Sequence, residues 1–108
     1  MQEPLWTKSA GRDLDDALDY FFQYSEERAA EFLRDVREKT GLYAKQPRIG
    51  CRFPALPISV RAIHLRPFVL LYREFEDTIL VLRVIHGARD IPTQFAEDSG
   101  EGSAAASD

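Results

Sequence analysis

Two histidines, His64 and His86, and one cysteine, Cys51, stand among the arginines of the chain's second half. His86 opens the run His86-Gly87-Ala88-Arg89-Asp90. An imidazole at a strand end can move a proton, and a guanidinium three residues on can hold an anion. The bland reading stands beside it: an imidazole with no carboxylate at a readable spacing is more often a hydrogen-bonded structural residue. Arg89 and Asp90 equally well close on each other as a local ion pair before Pro92. Arg83, between Leu82 and Val84, reads as structural and, if buried, calls for a carboxylate such as Asp13, Asp16 or Glu74. Tyr72 and Phe68 alternate with Leu70, which places them in a core rather than on a base-stacking surface. The glycines at Gly41 and Gly50 are far from any phosphate-binding pattern, so no nucleotide site is expected. Cys51 has no partner for a disulfide and no ligand-type neighbour at metal spacing, which leaves a structural thiol and no expected metal or cofactor.

Charge adds a direction but no identity. The net charge of −4 lies entirely in residues 97–108, EDSGEGSAAASD, where Glu97, Asp98, Glu101 and Asp108 face no base. Residues 1–96 balance 14 acids against 14 bases. Within them residues 1–44 hold ten acids and six bases, whereas 45–89 hold eight bases and three acids. A basic half can favour phosphate or an acidic peptide, and scattered arginine is also an ordinary way to keep a sheet soluble.

The elements that must position these groups are legible from periodicity. Leu14, Ala17, Leu18, Phe21 and Phe22 recur at helical spacing, with Ser9 as the expected cap. Ser25, followed by Glu26 and Glu27, caps a second helix whose stripe runs through Ala29, Phe32, Leu33 and Val36. Gly41 weakens that helix beyond Thr40, and the Pro- and Gly-bearing stretch 46–57 reads as a loop. Three β-rich runs follow, 60–65, 67–75 and 78–86, the last two joined through Glu76 and Asp77. Leu5 and Trp6 add a short strand. The expectation is an α+β domain over residues 1–96, a two-helix hairpin packed on a three- to four-stranded antiparallel sheet in the order β-α-α-β-β-β. The acidic tail 97–108 is expected to be disordered.

Pairing Phe75 with Thr78 puts Phe68, Leu70, Tyr72, Ile79, Val81 and Ile85 on one face of the hairpin. Val69, Leu71, Leu80, Leu82 and Val84 then share the other. The helices can cover one face, and no further element is evident to cover the second. An uncovered apolar face of that size calls for a partner.

The segments WTKSAGRDLDDALDYF, QPRIG, VRAIHLRPFVLLYR and ILVLRVIHGARDIP, in that order over residues 5–92, resemble the ParE-type toxins of the RelE/ParE superfamily. The resemblance implies a helical hairpin on an antiparallel sheet. It also implies a small cytoplasmic toxin of a plasmid-stabilisation type module, held inactive by a cognate ParD-like antitoxin of ribbon-helix-helix or similar architecture. The candidate antitoxin-binding residues are then Val69, Leu71, Leu80, Leu82 and Val84, and the candidate target-binding residues His86 and Arg89. No signal peptide or spanning segment is evident in the sequence, in keeping with the cytoplasm.

The superfamily contains two activities. RelE-like members cut mRNA on the ribosome, with arginines stabilising developing charge and an aromatic hydroxyl or histidine handling a proton. Alignment with that pattern puts Val69 where an arginine is expected and Phe95 where a tyrosine is expected. Arg89 falls on a family arginine, and Arg61, Arg73, His64 and His86 are the substitutes a nuclease would have to use. ParE members inhibit DNA gyrase, which asks for protein recognition rather than an embedded acid and base. A neutral body with three lysines also fits a ribosome-bound nuclease less well. The expected function is a gyrase-directed toxin without catalysis; the alternatives are a ribosome-dependent mRNA endoribonuclease and an inactive toxin-like remnant.

Overall fold

Thr7, two residues before the expected cap Ser9, starts helix α1 (Lys8–Phe22) in the computed structural model of the chain. Its hydroxyl accepts the Ala10 N–H at 3.0 Å and donates to the Leu82 carbonyl at 2.9 Å. That second bond, to a strand 75 residues away, is what fixes the cap at Thr7 and leaves Ser9 inside the first turn. The structure describes residues 3–53, 55–87, 91, 92 and 95.

The second helix, α2 (Glu26–Lys45), begins as expected: Ser25 Oγ accepts the Arg28 N–H at 3.0 Å, with Glu26 and Glu27 in the first turn. Gly41 does not stop it. A helical glycine costs about 1 kcal/mol relative to alanine, and the turn beyond it is held by packing, with Ala44 buried and the Tyr43 ring edge-on to Tyr72 at 5.9 Å. Thr40, buried in the same helix, satisfies its hydroxyl on the Val36 carbonyl at 2.7 Å.

The stretch expected to be loop is more ordered than its composition implies. Pro47–Ile49 forms a 3-10 turn and Cys51–Arg52 a two-residue strand, β2. The cause is Tyr72, which donates to the Pro47 carbonyl at 2.6 Å and accepts the Gly50 N–H at 3.0 Å. A Cβ at position 50 would lie 2.2 Å from that hydroxyl, so only glycine lets the chain pass this close.

With β1 (Leu5–Trp6), β3 (Val60–Leu65), β4 (Phe68–Phe75) and β5 (Thr78–His86), the sheet has five strands in the order β1-β5-β4-β3-β2. Four run antiparallel in succession, and β1 lies parallel to β5. The expected α+β hairpin-on-sheet arrangement is therefore present, with one more strand and one parallel pair.

The Phe75–Thr78 pair is present, but the register slips once. Tyr72 faces Val81 and Leu71 faces Arg83, so Leu82 is an extra residue on β5. Beyond such a bulge every side chain changes face relative to an unbroken ladder. Val84 accordingly turns to the helices, in the main core with Phe21, Phe32, Leu70 and Tyr72, whereas Ile85 turns to the far side with Val69 and Leu71. The expected places of Val84 and Ile85 are exchanged.

The far face is not bare. Val60, Ala62, Val69, Leu71 and Ile85 form a second apolar cluster with Ile91, against which Phe53, Leu56, Leu82 and Phe95 pack. Phe53 and Leu56, between β2 and β3, and the helical residues Ile91 and Phe95 supply this cover. Among the described residues no helix is long and apolar enough to cross a membrane.

Candidate functional site

The chemistry-bearing side chains gather at opposite ends of the sheet. At one end, His86 closes β5 across from Phe68, and its ring lies 5.2 Å from Phe68 and 5.9 Å from Tyr20. Gly87 follows, donating its N–H to the Pro67 carbonyl at 2.7 Å; a Cβ there would meet that oxygen at 3.1 Å. The glycine after the histidine thus lets the chain close over the β3–β4 turn. His64 pairs with Val69 one ladder step further in, and an open cavity of about 380 Å³ separates it from His86, with Arg66 and Phe53 on its walls.

His86 is set in an aromatic corner formed with Tyr20 and Phe68. The Tyr20 phenol is held above its ordinary value, first by its hydrogen bond with Tyr24 and then by the charge Tyr24 would carry. A phenol so held keeps its proton near neutrality and makes a poor base. Phe22, the last residue of α1, and Tyr24, in the turn that follows it, are exposed. Arg89, the other half of the expected pair, lies outside the described residues, as does the tail 97–108.

At the other end Arg61 and Arg73 do converge, and they share a cavity with Arg48. Arg61 donates to the Gly50 carbonyl at 3.0 Å, Arg73 to the Glu74 carbonyl at 3.3 Å, and Arg48 reaches the Glu74 carboxylate at 3.4 Å. Arg73 and Phe68 are five positions apart on β4, about 17 Å of strand. Arg61 and Arg73 are therefore separated from His86 by most of the sheet's length, while His64 lies three residues from Arg61 along β3. Arg83 belongs to neither set: it pairs with Asp13, both nearly buried, and Asp13 also accepts the Val84 N–H at 3.0 Å. Asp13 is one of the three carboxylates expected for it.

The five candidate antitoxin-binding residues separate as well. Val69 (6% exposed) and Leu71 lie inside the far-face cluster, and Leu82 at the bulge remains partly open on it. Leu80 is buried next to β1, across from Leu5. Val84 faces the helices. Phe53, Leu56 and Ile91 were not foreseen as parts of this surface, although single apolar residues in loops rich in proline and glycine are the signal that could have flagged them. Among the described residues no group of three or more His, Cys, Asp or Glu could hold a metal ion.

A helical hairpin on one face of a mixed sheet, with the last strands forming a bulged meander, is the arrangement of the RelE/ParE class of α+β proteins. A solved structure of a chromosomal ParDE toxin–antitoxin system from P. aeruginosa is similar, with a TM-score of 0.65 and 26% identity over 80% of this chain and 96% of that one. The family of ParE toxins of type II toxin–antitoxin systems (parDE) matches residues 5–91, and the chain belongs to it. No curated protein is a significant match.

Proposed function

We propose that this ParE toxin acts in the cytoplasm as a gyrase inhibitor without catalytic chemistry and is neutralised by a ParD-like antitoxin. The reading is carried by one observation. Val69 and Phe95, which fall where a RelE-like nuclease has its arginine and tyrosine, are both committed to the apolar cluster of the far face. The distance between Arg61 with Arg73 and His86 supports the same reading, since phosphodiester cleavage needs its proton-handling and charge-stabilising groups within reach of one phosphate.

The antitoxin is placed at the rim of the far-face cluster, on Phe53, Leu56 and Leu82, with Val69 and Leu71 as the floor beneath. Gyrase would be met by the aromatic end, where His86, Tyr20 and the exposed Phe22 and Tyr24 give a recognition surface of aromatic composition, with Arg89 three residues after His86 in sequence. The test is a pair of assays on the same purified protein. Inhibition of supercoiling with accumulation of cleaved DNA, and intact mRNA in a translating extract, is the expected result. Cleaved mRNA with unaffected gyrase would transfer the function to the ribosome-dependent endoribonuclease reading, and growth arrest with neither effect would sink both.

A further inference from the structure

The cavity walled by Arg48, Arg61 and Arg73 belongs to neither surface assigned above. It encloses about 380 Å³, with Ser59 and the 73% exposed Ile58 also on its walls, and Glu74 is its only acid among the described residues. Arg61 and Arg73 are half-buried and held in place, Arg61 by the Gly50 carbonyl and Arg73 by the Glu74 carbonyl together with its stacking over the Phe75 ring at 5.2 Å. A guanidinium carries five N–H donors. Among the described residues each of these two spends one on the backbone, which fixes the fork and leaves most of its donors facing no oxygen. The strand pairing concentrates the charge further: Arg52 on β2 is the cross-strand partner of Arg61. Like charges directly opposite each other destabilise a pair of strands, and the Glu74 carboxylate is engaged by the exposed Arg48 at 3.4 Å.

Three guanidiniums against one carboxylate leave the walls with a formal excess of two positive charges. A carboxylate ligand would offset one of them and offers two oxygens. A phosphomonoester carries about 1.5 to 2 negative charges near neutral pH and offers three strong acceptor oxygens. Charge and acceptor number both favour the phosphomonoester, for which the Ser59 hydroxyl is a further donor. Nucleic acid fits less well, because a groove for it would offer stacking faces and a longer basic track. Among the described residues no aromatic side chain lines the cavity, and residues 1–96 carry no net charge.

We propose that this cavity binds a phosphomonoester, its terminal oxygens received by Arg61 and Arg73 and by the more mobile fork of the exposed Arg48, with Ile58 against the group that carries the phosphate. The charged groups facing the ligand are Arg48 from the 3-10 turn, Arg61 from β3 with Arg52 across from it on β2, and Arg73 and Glu74 from β4. The cations are all arginines, which keep their charge. Affinity therefore follows the second ionisation of the ligand itself, at about pH 6.

The test titrates the full chain with N-acetyl-phosphoserine amide and follows the arginine Nε–Hε groups by NMR. Saturable shifts confined to Arg48, Arg52, Arg61 and Arg73 are expected, with an affinity that falls about tenfold between roughly pH 7.5 and pH 5 as the dianion is lost. Arg73→Gln, whose backbone partner is the next residue on its own strand, should weaken binding about tenfold or more and leave the unfolding midpoint close to the parent's. Inorganic phosphate binding as tightly as the amide would identify the free ion as the ligand, and tighter binding of the amide would identify a phosphorylated side chain. Absence of saturable shifts, or an unchanged affinity in folded Arg73→Gln, would overturn the proposal. So would equal binding of N-acetyl-aspartate amide, which would mark a carboxylate site, or of a thymidine dinucleotide with an internal phosphate only, which would mark a nucleic-acid surface.

Discussion

Tyr72 and Thr78, both fully buried, show how the same kind of group stabilises or burdens a core depending on its partners. The Tyr72 hydroxyl makes two hydrogen bonds that anchor the Pro47–Gly50 turn, so Tyr72→Phe should destabilise the protein by about 1–3 kcal/mol, read from chemical denaturation. Burial is the main reason its phenol lies above the ordinary value of 10.0. The folded state therefore holds that proton more tightly than the unfolded chain. Its contribution is complete below pH 10 and is lost as the pH rises toward the folded value, so the gap between parent and Tyr72→Phe should narrow in alkaline titration. Thr78 is the opposite case. Its hydroxyl is buried without a hydrogen-bond partner among the described residues. Thr78→Val keeps the shape and removes the orphaned group, and a gain of about 1 kcal/mol in the same denaturation assay is expected.

At the scale of elements, β5 is an edge strand for part of its length, and α1 takes over where β1 ends. Thr7 satisfies the Leu82 carbonyl and Asp13 the Val84 N–H, so the cap of α1 and a side chain of its second turn occupy places a neighbouring strand would fill. Asp13→Ala removes one of these and takes the Asp13 carboxylate away from the nearly buried Arg83. A loss of about 2–3 kcal/mol is expected, below the range for fully buried pairs because both partners keep some exposure. Hydrogen exchange at the Val84 amide, protected in the parent, should quicken in the variant; an unchanged rate would show that the contact does not hold the edge. Much of this architecture was legible in the sequence. The helical stripes, the Ser25 cap, the limits of β3 and β5 and the Phe75–Thr78 pair all follow from local periodicity. The bulge does not, because Leu82 and Val84 alternate as smoothly as any strand and only the cross-strand register reveals the extra residue. Thr7 lost to Ser9 for the same reason: its advantage is a bond to a residue far along the chain. The candidate site was legible in its residue types and not in its grouping, since the spacing of Arg61, Arg73 and His86 does not reveal that they lie at two ends of one sheet.

For the whole molecule, the far face governs the proposed partnership with an antitoxin. Leu82→Glu places a charge on the open rim of that cluster while leaving Val69 and Leu71 beneath it. Binding of the cognate antitoxin, measured by calorimetry, should weaken by about tenfold or more, because an unpaired carboxylate is costly to bury against an apolar partner; parent-like affinity in a folded variant would move the antitoxin elsewhere. The pairing of Leu5 with Leu80 and of Thr7 with Leu82 has a consequence of a different kind. The first strand to be synthesised finds its neighbour only when the last one has left the ribosome. Local helix formation can begin early, but the sheet closes late, through contacts of the longest sequence separation in the fold. The sheet of this toxin therefore takes its final form only once β5 is available to receive β1.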